Sequence, residues 1–239
     1  MLSKSQIKLI TRLKQKKHRI TDGFFVAEGI KVINELLDSS LELYHLFTLE
    51  PFKSHTEKQT LITEAELKKI SFLTTPNKAL AVFKIPSQKN TQLQGLIVAL
   101  DSIRDPGNLG TIIRLCDWFG IKELVCSKET VDCYNPKVVQ ATMGSITRVN
   151  INYLDLNTFL TEAETPIFGA FMDGKNVYKS ELPKEGIIIM GNEANGISKA
   201  IEQQVTKHIA IPRFGDLQAT ESLNVATATA ILLSEFRRK

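Results

Sequence analysis

Apolar residues are spaced along this chain in two rhythms, one helical and one strand-like, and their alternation predicts most of the elements. Residues 3–17 carry Ile7, Leu9, Ile10 and Leu13 among lysines and arginines, a spacing that predicts one basic amphipathic helix. Phe24 to Ala27 reads as a short strand and Gly29 to Leu37 as a helix. Leu43 to Leu49 suits a second strand, Glu64 to Ile70 a helix, and Ala79 to Phe83 an extended run. Together these predict a small α/β domain over residues 1–85. Residues 86–94 open with Pro86 and are polar without apolar periodicity, so they read as a linker. Beyond it, strand-like runs at 95–100, 122–126, 148–152, 167–171, 187–190 and 207–211 alternate with helical segments at 109–119, 136–146, 156–163, 199–205 and 222–237. Strands that alternate with helices predict a mostly parallel sheet covered on both faces, in a second domain over residues 95–239. Asn135-Pro136 and Ser198 suit helix starts, through a side-chain cap and a first-turn proline.

Composition narrows the class. The chain has 239 residues, 43% hydrophobic and 23% charged, which describes an ordinary globular protein of one large or two small domains. No apolar run approaches the roughly 18–20 residues that cross a bilayer. Residues 1–6 lack the apolar core of a signal peptide, so a cytoplasmic location is expected. Cys116, Cys126 and Cys133 form no CxxC pair and do not cluster with the histidines. Buried, reduced thiols are therefore expected, and no metal site. The net charge of +4 says less than its placement. Lys4, Lys8, Arg12, Lys14, Lys16, Lys17 and Arg19 crowd the first twenty residues without an acidic residue, and Arg237-Arg238-Lys239 closes the chain. Such segments meet phosphate backbones or form a solvated helix face.

Three patches carry the candidate chemistry, each at a strand end. The first, Asp105-Pro106-Gly107-Asn108-Leu109-Gly110-Thr111-Ile112-Ile113-Arg114, follows the strand Leu96 to Leu100. Asn108 suits a cap for a helix starting near Leu109. Ile112, Ile113, Cys116 and Phe119 form the buried stripe, which leaves Arg114 on the opposite face, either near a ligand or paired with Asp117. The second, Met190-Gly191-Asn192-Glu193-Ala194-Asn195-Gly196, follows the apolar strand Ile187 to Met190. Gly191 permits close backbone approach and Gly196 a sharp turn, while Glu193 calls for an explanation beyond turn geometry. The third joins Ile211-Pro212-Arg213-Phe214-Gly215 to Ser222-Leu223-Asn224-Val225, where Ser222 or Asn224 suits the cap of the last helix. Neither a Walker loop nor a GxGxxG fingerprint is present.

In order and spacing, the three patches resemble the motifs of the SpoU/TrmH family of RNA ribose methyltransferases, within the SPOUT superfamily. The resemblance is strong from residue 95 onward and weaker over 1–85, where Phe25-Val26-Ala27-Glu28-Gly29 resembles the start of the family's substrate-binding domain. It implies a trefoil-knotted α/β catalytic domain behind a small ribosomal-protein-like domain. It also implies S-adenosylmethionine as cofactor, a homodimer, and ribosomal RNA as substrate. By motif position, Gly191, Ile211 and Leu223 line the cofactor site, while Asn108, Arg114, Glu193, Ser222 and Asn224 are the polar active-site residues. A guanidinium stays protonated in proteins, so Arg114 is expected to anchor a phosphate and stabilise oxyanion charge, not to act as a simple base. Transfer RNA as substrate, or a non-catalytic RNA-binding protein of the same fold, are the alternatives. Two departures stand out. Residues 216–221 form a longer loop than usual, and Arg213 stands where relatives often carry an apolar residue such as Met.

Overall fold

The computed structural model describes residues 2–52, 56–88, 90–92, 94–214 and 222–238. The loop at 216–221 lies outside the described residues. The chain divides into two compact units: residues 1–87 with 132–147, and residues 88–131 with 148–239.

The first unit begins with two helices where the apolar spacing predicts one. Helix α1 spans Lys4–Arg12 and α2 spans Lys16–Asp22. The break is filled by Arg19, which is buried and donates from Nη1 to the carbonyls of Leu13 and Lys14 at 2.8 and 2.9 Å. Those carbonyls would otherwise be orphaned where the first helix ends. The same guanidinium pairs with Asp132 at 2.6 Å. Strand β1 (Phe24–Glu28), helix α3 (Ile30–Leu37), β2 (Leu43–Thr48), β3 (Gln59–Leu61), α4 (Glu64–Ile70) and β4 (Ala79–Lys84) follow. The sheet order is β1-β4-β2-β3, with β4 antiparallel to both neighbours and β2 parallel to β3. Three-residue β3 escapes the sequence reading because it is too short to show periodicity. Ile10, Leu13, Val26, Phe47, Leu67, Ile70, Leu80 and Val82 form a continuous core.

In the second unit, β5 (Leu96–Leu100), α5 (Pro106–Trp118) and β6 (Glu123–Ser127) lead to α6 (Pro136–Thr142), which packs on β1 and so groups with the first unit. The apolar spacing alone predicts this segment within the second domain. Periodicity identifies a helix but not the sheet that covers it, and here Val138, Val139 and Thr142 supply the buried face. Helix α6 also ends earlier than expected, at Met143 with φ 51°, followed by Gly144 at φ 97°. A Cβ at Gly144 would lie 2.5 Å from the Glu35 side chain, so the tight turn there requires glycine.

The rest of the unit is β7 (Asn150–Leu154), α7 (Leu156–Thr161), β8 (Ile167–Asn176), β9 (Gly186–Met190), α8 (Lys199–Glu202), β10 (Lys207–Ala210) and α9 (Val225–Arg237). The six-stranded sheet runs β10-β8-β9-β5-β6-β7 and every pairing is parallel. Every residue of β5, β6 and β9 is buried, as expected for central strands with both faces covered. Because the strands are parallel, Leu100, Met190, Asn176 and Ala210 all end at one edge of the sheet. The loops carrying the three patches leave from that edge. Cys116, Cys126 and Cys133 are buried and unbridged. Among the described residues, no helix is long and apolar enough to cross a membrane.

Candidate active site

The cap of α5 decides what Asn108 is free to do. Asp105, not Asn108, is the N-cap, since its Oδ1 accepts from the Asn108 amide at 2.8 Å and Pro106 occupies the first turn. That corrects the expectation that Asn108 caps this helix. With a carboxylate three residues earlier holding the backbone, the Asn108 carboxamide points outward from the first turn.

At the other end of the chain, Asn224 caps α9. Its Oδ1 accepts from the amides of Ala226 and Thr227 at 3.0 and 3.2 Å. That bond fixes the orientation of the amide group, so Nδ2 must face away as a donor. It donates to Asn108 Oδ1 at 2.9 Å, and Asn108 Nδ2 in turn donates to Glu193 Oε1 at 2.9 Å. The three patches, separated by as much as 116 residues, thus meet in one directed chain from Asn224 through Asn108 to Glu193. Glu193 has the explanation that turn geometry did not supply: it is the acceptor that ends the relay. Glu193 and Asn224 are exposed and Asn108 is half-buried, so the two ends of the relay open to solvent and to any ligand lying over the sheet edge.

The second patch is held shut by its own backbone. Asn192 and Gly196 exchange two backbone hydrogen bonds at 2.9 and 2.8 Å, and Asn192 Oδ1 accepts from the amides of Ala194 and Asn195. Gly196 sits at φ 68°, as its expected turn requires. A Cβ on Gly191 would lie 2.3 Å from the Gly196 carbonyl carbon and the Ile197 nitrogen. Glycine is therefore demanded at 191 by the folding of the loop onto itself, before any ligand is considered.

Two residues that sequence reasoning did not single out brace this loop. Buried Asp101 accepts from the Ser198 amide at 2.8 Å and from the Ser102 hydroxyl at 3.1 Å. Asn192 Nδ2 donates to the Ser102 carbonyl at 2.7 Å. Ser198 starts α8 without a side-chain cap, and its own amide is held by Asp101. The one available signal was an aspartate placed directly after the fully apolar β5.

Arg114 and Ser222 stand outside the relay. Both are exposed, and Arg114 has no hydrogen-bond or ion-pair partner among the described residues. Asp117, the alternative partner suggested by spacing, instead pairs with Arg148 at 2.9 Å. Arg114 lies six residues beyond Asn108 on α5, about 9 Å along the axis and rotated about 120° around it. Ile211 is half-buried and Leu223 is 49% exposed. Outside the strand ladders, Gly191, Ile211 and Leu223 make no backbone hydrogen bond among the described residues.

Residues 95–234 match the model of the SpoU rRNA Methylase family, and residues 4–81 match the MRM3-like substrate binding domain. A 23S rRNA (guanosine(2553)-2'-O)-methyltransferase, RlmP, from Bacillus subtilis (strain 168) is 26% identical over 236 residues, 95% of this chain and 93% of its own. The chain spans between 38% and 58% of three other curated relatives. Among solved structures, a TrmH-family protein from Porphyromonas gingivalis is 37% identical with a TM-score of 0.90, covering 99% of this chain and 98% of that one. An rRNA methyltransferase from Sinorhizobium meliloti, solved with AdoMet bound, is 29% identical with a TM-score of 0.87 over 99% and 96% of the two chains. With the matched model covering more than half of its length, the chain belongs to the SpoU rRNA methylase family and has the SPOUT methyltransferase fold.

Proposed function

We infer that this protein is an enzyme that methylates a ribose 2′-hydroxyl in ribosomal RNA, with S-adenosylmethionine as cofactor. The observation that carries the reading is the Asn224–Asn108–Glu193 relay, which draws all three family motifs into one open polar site. Family membership and the AdoMet-bound relative support the cofactor. A relative named for 23S rRNA that aligns over 95% of this chain supports the substrate class.

We assign the cofactor site to Gly191, Ile211 and Leu223, whose backbone groups make no loop hydrogen bond among the described residues and suit the edge of a purine. The bound cofactor supplies a methyl group on a sulfonium, which is already activated for displacement. The chain's own task is to orient the nucleophile and stabilise the charge it develops. Asn108 and Asn224 position the ribose by hydrogen bonds, their orientations set by the cap of α9. Glu193 holds the second loop against the first, and Ser222 offers a hydroxyl at the entrance to the third. Arg114 anchors the neighbouring phosphate and stabilises the forming oxyanion as a fixed positive charge.

Residues 1–85 form the RNA-binding domain and 86–94 the linker to the methyltransferase domain over 95–239, apart from the 132–147 segment that groups with the first unit. The exposed Lys4, Lys8, Lys14, Lys16 and Lys17 of the first unit supply phosphate affinity. The enzyme acts in the cytoplasm as a homodimer. The outward turn of Arg114, away from the relay of its own subunit, supports completion of the site across two copies.

Arg114→Ala tests the reading. Methylation of ribosomal RNA should fall by at least about a hundredfold, the scale of losing a preorganised charge at the reacting oxygen. Calorimetric binding of S-adenosylmethionine should persist. Retained turnover would remove Arg114 from the reaction, and lost cofactor binding would recast it as a structural residue.

A further inference from the structure

The strand β8 does not stay in its ladder. Gly169 pairs with His208 of β10, and the next pairing joins Lys175 to Ile209, so residues 170–174 leave the sheet. Phe171 turns inward, packs on the core and stacks on His208 with ring centroids 4.0 Å apart. Gly174 brings the strand back, at a point where a Cβ would lie 2.5 Å from the Ile209 carbonyl carbon. The excursion leaves Met172 63% exposed. Its sulfur lies 3.7 Å from Nη2 of Arg213, one of the two departures from the family pattern. The next residue, Phe214, is 82% exposed, and its ring centroid lies 6.2 Å from that of Tyr178 at an angle of 34°. Tyr178 is itself 37% exposed.

Met172, Tyr178, Arg213 and Phe214 thus form one surface from two segments, each leaving the same sheet edge. An exposed ring, a thioether and a planar guanidinium held together at the surface are signs of a binding face. Exposed Lys175 and Lys179 flank it in the chain and, with Arg213, set three cations against Asp173 and Glu181 among the described residues nearby in the chain. A self-complementary contact between two copies would set these cations against each other. A polyanion whose bases have flat faces is complementary to both features. In the sheet order, β8 lies beside β9, whose following loop carries Glu193, and β10 lies beside β8, so the surface and the relay leave neighbouring strands of the same sheet edge.

We propose that Phe214 and Tyr178, with Arg213 and Met172, form a stacking platform for an unpaired RNA base close to the methylated ribose. This rests on the RNA methyltransferase reading. Base–aromatic stacking tolerates any base, so the platform selects for single-stranded or extruded nucleotides and not for a particular sequence.

The test compares binding of the full chain to two decameric RNAs at fixed ionic strength: oligoadenylate, and an abasic strand with the same sugar-phosphate backbone. The wild type should bind the base-bearing strand about tenfold more tightly. Phe214→Ala and Tyr178→Ala should each remove most of that preference without changing affinity for the abasic strand. Phe214→Trp should keep it. Equal wild-type affinity for the two strands, or an undiminished preference in Phe214→Ala, overturns the proposal. A change of sedimentation coefficient in Phe214→Ala also overturns it, by making the surface a contact between copies. Titration with S-adenosylmethionine separates the two readings. If the wild type binds none, the methyltransferase function fails while the base preference stands on its own result. If Phe214→Ala alone loses cofactor binding, the side chain supports the cofactor loop and the platform is wrong.

Discussion

At the scale of single residues, the assignments that changed did so because a neighbour in space took the role that a neighbour in sequence had been offered. Asn108 looked like a helix cap until Asp105 took its amide, and Asp117 looked like the partner of Arg114 until Arg148 took its carboxylate. Glu28 makes a testable case. Burial pushes its carboxyl above the ordinary glutamate range, only partly offset by bonds from the Ser71 hydroxyl and the Phe72 amide. The folded state therefore holds its proton more tightly than the unfolded chain does. The stability this contributes is fully present below the ordinary glutamate value and is lost as pH rises through the raised one. Glutamine cannot titrate, so thermal melts should show wild type losing ground to Glu28→Gln as pH rises above the ordinary glutamate range. Parallel melting curves across that range would refute the assignment.

At the scale of elements, the closed loop after β9 shows how a glycine serves packing before it serves a ligand. In Gly191→Ala the new methyl meets backbone, which cannot rotate away as a side chain can. Overpacking of this kind costs about 1–3 kcal/mol. For a protein of this size the melting temperature should drop by roughly 2–10 °C, and affinity for S-adenosylmethionine should fall with it. An unchanged melt would mean that the loop opens at little cost. Much of this level was legible from the chain alone. The strands β5 and β9 are continuous apolar runs, β6 has an apolar centre at Leu124 to Cys126, and both α5 and α9 follow a helical stripe. The break between α1 and α2 was not legible, because Ile7, Ile10 and Leu13 keep a helical spacing up to it. Only Arg19, folded back onto the Leu13 and Lys14 carbonyls, reveals why the helix can stop there.

At the scale of the whole molecule, the membership of residues 132–147 in the first unit has consequences for any dissection of the chain. Cutting at 87/88 strands the apolar face of α6 from β1. Fragments 1–87 and 88–239 should therefore co-purify when expressed together, and fragment 88–239 alone should aggregate. A monodisperse, soluble 88–239 fragment would contradict this. The proposed dimer has its own test at Trp118, 83% exposed and one helical turn beyond Arg114 on α5. An indole left in water on the same side as the key cation suits a face that a second copy covers. Trp118→Glu should shift the mass seen by light scattering from dimer to monomer and abolish methylation with cofactor binding intact. An active monomer would sink the dimer.

Two kinds of information separate along these lines. The sequence alone sufficed for the alternation of strands and helices, the parallel sheet and the three patches with their order, because periodicity and turn chemistry are local. Glu193 could be singled out in the same way, marked by a residue type that its turn did not need. Which donor meets which acceptor was decided only by tertiary structure. Hydrogen-bond direction in the relay descends from the cap of α9, across 116 residues, to Asn108 and then to Glu193. A chain read in order cannot show it, since a carboxamide's two ends are interchangeable until folding supplies the partner that distinguishes them.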